Sequence, residues 1–233
     1  MTSDPSQDSA SEPDDFAQDS AGAMPVVDNN MYLVQAAAAG DGQAADELFT
    51  KYRDRLARMV RLRISHRLQA RVDASDVLQE TLIDAARHLA EYARNPAIPF
   101  YLWLRNIAGI KLAELHRRHL GTQRRDAGRE VLIHRGGVPD VDSASLAGQL
   151  IGYATGASDV AIKAELRLAV QEALNSMDPI DREVIALKHF EQLSISEIAQ
   201  VTGLSKAGAG SRYLRAIKRL RGILEQLPGF QGL

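Results

Sequence analysis

The densest chemistry in this sequence is cationic. Between Leu204 and Arg221 stand Lys206, Arg212, Arg215, Lys218, Arg219 and Arg221, with no acid among them. Just upstream, Ser194-Ile-Ser-Glu197 has the S-x-x-E spacing of a capping box. In that motif the hydroxyl and the carboxylate each satisfy a backbone amide left unpaired at a helix start. Thr202-Gly203-Leu204 follows, and Gly203 tolerates the left-handed backbone of a tight interhelical turn. Ser205 is placed to cap a second helix, whose inward stripe is Ala209, Tyr213, Ala216 and Leu220. A helix with an open amide end and a basic outer face suits a DNA major groove and its flanking phosphates. Lys206, Ser211, Arg212 and Arg215 are the groups placed to read base edges or hold phosphates, with Lys218 and Arg219 extending the face. A helical hairpin with a solvated basic face is the plain alternative. Gly208 and Gly210 each cost the second helix about 1 kcal/mol of propensity, which softens its first turn.

A second basic run precedes it. Lys51, Arg53, Arg55, Arg58, Arg61, Arg63, Arg67 and Arg71 face a single acid, Asp54, a pattern that suits a nucleic-acid complex better than a ligand pocket. His116-Arg-Arg-His119 has an i, i+3 spacing that could ligate a metal. With no cysteine in the chain and no third ligand nearby, the two imidazoles read instead as the extension of a basic helix end. Gly208-Ala-Gly210-Ser211 lies inside a helical pattern and lacks the Lys-Ser/Thr ending of a phosphate loop. No Ser–His–Asp grouping or carboxylate pair stands out, so no catalytic site and no cofactor are expected.

The elements that must carry these residues are helices. The chain has 233 residues, 45% of them hydrophobic but only 5% aromatic, and Ala and Leu dominate. That bias favours small helical bundles over a β-sandwich. The lack of cysteine excludes a disulfide scaffold and a thiolate nucleophile. No run of 18 apolar residues and no leader-like start is present, so the expectation is a soluble cytoplasmic protein without a membrane span. Residues 1–30 hold seven acids and no Lys or Arg, while the remainder sets 23 acids against 28 bases. An acidic tail on a basic body points to a polyanionic partner, and the tail itself reads as disordered.

Helical periodicity occupies residues 31–120. Gly40-Asp41-Gly42 ends a short Ala-rich helix, and a long helix follows with Leu48, Tyr52, Leu56, Met59 and Val60 inward. Asp73-Ala-Ser75-Asp76 caps the next, roughly 75–92, with Leu78, Leu82, Ala85 and Leu89 as its stripe. Another runs from about Pro99 to His119. From 121 to 163 the periodicity fades among seven glycines, which predicts a flexible linker with room for a short helix. A second helical unit then spans 164–227. Its first helix places Leu166, Val170, Leu174 and Met177 on one face. The next opens on Asp178-Pro179 with Ile180, Val184 and Leu187 inward. The fold class predicted is all-α: two small helical domains joined by a flexible linker, the C-terminal one a helix-turn-helix.

Three stretches, in order, resemble the extracytoplasmic-function (ECF) sigma factors of bacterial RNA polymerase. Asp73-Ala-Ser-Asp-Val-Leu-Gln-Glu-Thr81 resembles the segment that docks on the polymerase clamp. Phe100-Tyr-Leu-Trp-Leu-Arg-Asn-Ile-Ala108, running on to Leu115-His-Arg-Arg-His119, resembles the helix that melts the promoter and reads its minus-ten element. Asp178-Pro-Ile-Asp-Arg-Glu-Val184 with the helix-turn-helix resembles the minus-thirty-five reader. The resemblance implies core RNA polymerase and promoter DNA as partners, leaves room for an anti-sigma factor, and makes 31–120 a region 2-like and 164–227 a region 4-like domain. It assigns polymerase binding to Asp73, Asp76, Gln79, Glu80 and Ile83. The last four also fall on one helical face, opposite the buried stripe. It assigns minus-ten contacts to Tyr101, Trp103, Asn106, Lys111, Arg117 and Arg118. Of the aromatics, Trp103 reads first as core and only then as a base platform, and Tyr101 is expected nearer the surface. The family usually has Asn at the position of Ile110, and Thr and Lys at those of Gly208 and Gly210, so the base preferences are this chain's own. The rival reading is a dimeric helix-turn-helix regulator with a sensing or dimerising N-terminal bundle. No dimerisation heptad supports it. A small nuclease stands further off, because the acids it needs are not grouped.

Overall fold

The computed structural model describes residues 30–65, 68, 69, 71–120, 138–154 and 160–226. The acidic tail and most of the first half of the expected linker lie outside them. Among the described residues there are nine helices and no strand: α1 (Met31–Ala38), α2 (Gly42–Arg63), α3 (Ala74–Arg94), α4 (Phe100–Leu120), α5 (Ser143–Ala154), α6 (Val160–Asn175), α7 (Pro179–His189), α8 (Ile195–Thr202) and α9 (Lys206–Leu224).

Local chemistry sets the helix starts. Gly40 adopts φ +100°, and Asp41 then caps α2 by accepting from the amides of Gln43 (2.9 Å) and Ala44 (3.1 Å). Asp73 accepts from the Ser75 amide at 2.9 Å and starts α3. Pro99 sits one residue ahead of α4 rather than inside it, and its carbonyl takes the Trp103 amide at 3.1 Å. The α1–α4 core is built on Leu48, Leu56, Met59, Val60, Leu78, Ala85, Leu89, Leu104 and Leu112. Leu82, expected in the stripe, is only half-buried. Val77, Thr81 and Tyr92 complete that face of α3 instead.

Half of the chain's aromatic residues gather at the start of α4. Phe100 meets Tyr52 (centroids 5.3 Å), Tyr92 (5.5 Å) and Trp103 (5.5 Å), and Tyr92 stacks on Trp103 at 4.7 Å. Concentrating large rings at one helix end compensates for their scarcity elsewhere in an Ala- and Leu-rich core.

Within the expected linker, the described residues 138–154 include one helix and pack on the rest of the protein. Val138, Val141, Leu146, Ala147 and Ile151 are buried, α5 packs on α6 and touches α2, and α6 begins at Val160 instead of 164. The Asp142 amide donates to the Leu62 carbonyl (2.9 Å), and Ser145 and Gln69 hydrogen-bond side chain to side chain at 2.8 Å. Val138 rests directly on the backbone of α4 at Gly109, where a Cβ would lie 3.1 Å from the Val138 Cα. The missing side chain is what lets the segment approach so closely. In α7–α9 the core is Leu174, Val184, Ile185, Leu187, Ile198, Ala209, Ala216 and Leu220. Arg182 closes the end of α6 by donating to the carbonyls of Leu174 (2.9 Å) and Met177 (2.8 Å).

Candidate nucleic-acid interface

The helix-turn-helix forms as its residues dictate. Asp178 caps α7 through the Ile180 amide (3.0 Å), with Pro179 in the first turn. The Ser194–Glu197 capping box is complete: the Glu197 amide donates to Ser194 Oγ (3.2 Å) and the Ser194 amide to Glu197 Oε2 (2.8 Å). Gly203 takes φ +70° between α8 and α9, and Ser205 caps α9 by accepting from the Gly208 amide at 3.0 Å. A Cβ at Gly208 would lie 2.9 Å from that same Ser205 oxygen, so this glycine accommodates the cap it weakens in propensity.

On α9, Ser211, Arg215 and Lys218 lie at i, i+4 and i+7 and are exposed, as are Lys206 and Arg219. Arg215 donates to the Ser211 carbonyl, one turn back on its own helix (3.3 Å). Arg219 also reaches the Ser176 carbonyl at 3.0 Å. Arg212 behaves differently. Its Nη2 lies 3.0 Å from Asp178 and its Nε 2.8 Å from Asp181, so it ties α9 to the first turn of α7. Expected as a DNA group, it is drawn to two carboxylates that belong to its own fold. Tyr213 is half-buried, and its hydroxyl lies 3.0 Å from His189 Nε2, whose pKa burial and then Lys188 push down.

The α3 face holds Asp76, Gln79, Glu80 and Ile83 exposed together, with Ile83 at 45% and the capping Asp73 at the helix start. Helix α4 distributes its candidates unevenly. Arg117 and Arg118 are exposed near its end, and Arg118 lies 3.6 Å from Glu114. Asn106 and Trp103 are half-buried, and Lys111 pairs with Asp84 of α3, which lowers the Asp84 carboxyl and raises the lysine. Ile110 is exposed. His116 is buried with neither ring nitrogen hydrogen-bonded among the described residues, and burial holds its pKa down against Asp142. It does not extend the basic helix end as expected, because its ring falls on the packed side of α4.

Tyr101 overturns the expected order of the two aromatics. It is 2% exposed, more deeply placed than Trp103, and its hydroxyl donates to Glu191 Oε2 at 3.1 Å. Arg55 lies over its ring at 3.6 Å. Burial and the Glu191 charge push the phenol well above its usual pKa. Around it sits a quartet with no sequence signature. Arg63 of α2 and Arg105 of α4 pair with Glu183 of α7 and with Glu191 just beyond it. Arg105 donates to Glu183 and to Glu191 at 2.8 Å each. Arg63 bonds Glu183 and lies 2.6 Å from Glu191 without hydrogen-bond geometry, its Nη1 being directed 3.3 Å to the Met59 carbonyl. All four are buried. Burial opposes the charge on Glu191, but Arg105 and Arg63 outweigh it and hold its pKa below the usual carboxylate range. Arg58 donates to the Phe190 carbonyl (2.8 Å) and Arg55 to those of Glu191 and Gln192. Among the described residues of the 51–71 run, Arg55, Arg58 and Arg63 are therefore engaged by the other helical unit.

Residues 167–220, which run from within α6 through α7 and α8 into α9, match the family model "Sigma-70, region 4". The chain is 28% identical over 189 residues to the ECF RNA polymerase sigma factor SigD of Mycobacterium tuberculosis, covering 81% of each chain. It is 29% identical over 199 residues to the RNA polymerase sigma factor CnrH of Cupriavidus metallidurans, covering 85% of this chain and 95% of that one. The solved structure of CnrH in complex with the cytosolic domain of CnrY superposes with a TM-score of 0.51 at 25% identity, over 84% of this chain and 97% of that one. Over more than four-fifths of its length the chain is similar to ECF sigma factors, and its residues 167–220 match sigma-70 region 4. That family binds RNA polymerase, recognises promoters and is non-enzymatic. No described helix is long and apolar enough to cross a membrane.

Sequence reasoning missed Glu183, Glu191 and Arg105 as a group. Glu191 follows Phe190 and precedes Gln192, a polar pair at a helix end that reads as solvent-facing. Only the meeting of two helical units makes it one of the most deeply buried acids.

Proposed function

We propose that this protein is a sigma factor, which docks on core RNA polymerase through the α3 face, positions α4 at the minus-ten element and α9 at the minus-thirty-five element, and thereby promotes transcription initiation in the cytoplasm. The observation that carries the reading is the exposed Ser211–Arg215–Lys218 face within the segment matched by sigma-70 region 4. Residues 31–120 and 164–227 act as the two promoter-facing domains. Arg117 and Arg118 hold the backbone of the opened strand, with Asn106 and Trp103 at its base-reading end. Arg212 orients α9 through Asp178 and Asp181. CnrH is solved with the cytosolic domain of CnrY, and by analogy an anti-sigma partner acts on this chain.

In vitro transcription tests the proposal. Purified core polymerase with this protein is expected to start at defined promoters that core alone ignores. Failure to direct any start, together with a symmetric footprint on a palindromic site, would favour a dimeric regulator instead. Docking is tested separately by Asp76→Arg with Glu80→Arg. Both residues are exposed, so circular dichroism is expected to be unchanged while co-elution with core polymerase is lost.

A further inference from the structure

We propose that the cavity lined by the end of α2, the residues that lead into α3, α5 and α6 is a binding site for a nucleoside diphosphate, whose phosphates are held by Arg61, Arg71 and Arg167. The inference concerns this cavity alone and does not rest on the sigma-factor reading, so the two stand or fall separately.

The cavity has a volume of about 600 Å³, which suits a nucleotide and far exceeds what one inorganic phosphate fills. Its wall sets those three arginines against a single acid, Asp73. That acid is already committed. Asp73 accepts from the Ser75 amide at 2.9 Å, and its hydrogen bonding with Ser75 holds the carboxyl below the usual range. None of the three arginines has an ion-pair partner among the described residues, whereas Arg63 on the same helix as Arg61 meets two carboxylates. Guanidinium groups sharing one space repel one another, and an oligoanion converts that repulsion into bidentate, charge-assisted hydrogen bonds.

Arg167 is placed for this by its neighbours. It is half-buried, its Nη2 spends one long hydrogen bond on the Ala144 carbonyl (3.4 Å), and it lies beside Gly148 of α5. A Cβ at Gly148 would come within 3.1 Å of the Arg167 Cζ, so the missing side chain gives the guanidinium its room.

The rest of the lining suits a nucleoside. Ile64, Val72 and Ala74 offer an apolar side for a flat heterocycle. The Gln69 side-chain nitrogen donates to Ser145 Oγ at 2.8 Å, which leaves its carbonyl oxygen to accept. Gln149 has no hydrogen bond among the described residues, so its carboxamide presents both a donor and an acceptor to a base edge. A single carboxylate is a poor magnesium site, and the arginines themselves neutralise the diphosphate.

Isothermal titration calorimetry on the full-length protein tests this with ADP and GDP in magnesium-free buffer. Saturable binding of at least one of them is expected, with inorganic pyrophosphate and the free nucleoside each weaker by about tenfold or more. Arg167→Ala, and separately Arg61→Ala with Arg71→Ala, are each expected to weaken the nucleotide by about tenfold or more, as loss of a charged hydrogen-bonding group does. Gly148→Leu keeps every charge but fills the space beside Arg167, and is expected to abolish binding. Arg53→Ala with Arg87→Ala removes two exposed cations outside the cavity and is expected to change nothing. Circular dichroism checks each fold, and should Gly148→Leu lose helicity, the exposed pair Arg61 and Arg71 decides. Absence of saturable binding by either nucleotide would overturn the proposal. Pyrophosphate binding as tightly as the nucleotide would remove the nucleoside from the ligand class. Affinity that survives the arginine changes in the cavity, or falls equally with Arg53 and Arg87, would place the nucleotide on a general basic surface instead.

Discussion

The basic run on α2 and the basic run on α9 look alike in sequence, and the fold puts them to opposite uses. On α2, Arg55, Arg58 and Arg63 turn inward or sideways to carboxylates and carbonyls of the C-terminal unit. On α9, Lys206, Arg215 and Lys218 remain at the surface. Charge density along a helix therefore does not say whether a polyanion or the rest of the protein is its partner. What decides is whether the opposing element brings acids within reach. Glu183 and Glu191, both buried, do so for Arg63 on α2, and the less buried Asp178 and Asp181 of α7 do so for Arg212 on α9.

The widest separation between the two runs should appear on removing Arg63. It is fully buried between two carboxylates, and breaking a buried pair from one side typically costs about 3–5 kcal/mol. Arg63→Leu is expected to lower the urea midpoint accordingly, whereas Arg215→Ala should stay within about 0.5 kcal/mol. Equal effects would erase the distinction. The converse measurement is DNA affinity. Arg215→Glu with Lys218→Glu is expected to abolish binding to upstream promoter DNA and flatten its salt dependence by about one unit of slope for each phosphate no longer neutralised. The fold should be retained, since neither residue is buried.

A smaller effect sharpens the account of the helix-turn-helix. Ser194→Ala removes one half of the capping box and is expected to cost about 1 kcal/mol, read in thermal denaturation. The smallest concerns pH. His116 and His189 both have pKa values lowered by burial, so each is neutral in the folded state where an unfolded histidine begins to charge. Their contribution to stability is complete above the unfolded value of about 6.5 and is lost as pH falls below it. Melting temperature is expected to drop between pH 7.5 and pH 5.5, and His116→Phe should reduce that slope without removing the His189 part.

Local structure was legible because local chemistry produces it. Asp73, Asp178, Ser194 and Ser205 each cap the helix their position announced, and Gly203 turns where only a left-handed residue fits. The exposed face of Asp76, Gln79, Glu80 and Ile83 followed from helical spacing alone. Boundaries were less secure where packing, not propensity, supplies the stabilisation. Helix α5 forms in a glycine-rich stretch because α6 and α2 bury its Leu146, Ala147 and Ile151.

Side-chain partners across the molecule could not be read from spacing. Tyr101 and Trp103 are two residues apart on one helix, and nothing local ranks their burial. Glu191 and Arg55 rank it, from 90 residues downstream and 46 upstream in the chain. Sequence by itself determined the helices, their caps and the chemical type of each exposed face, since these depend on neighbours within a turn or two. Only the tertiary structure decided which charges remain available to a partner, because an ion pair buried between two helical units depends on how those units meet.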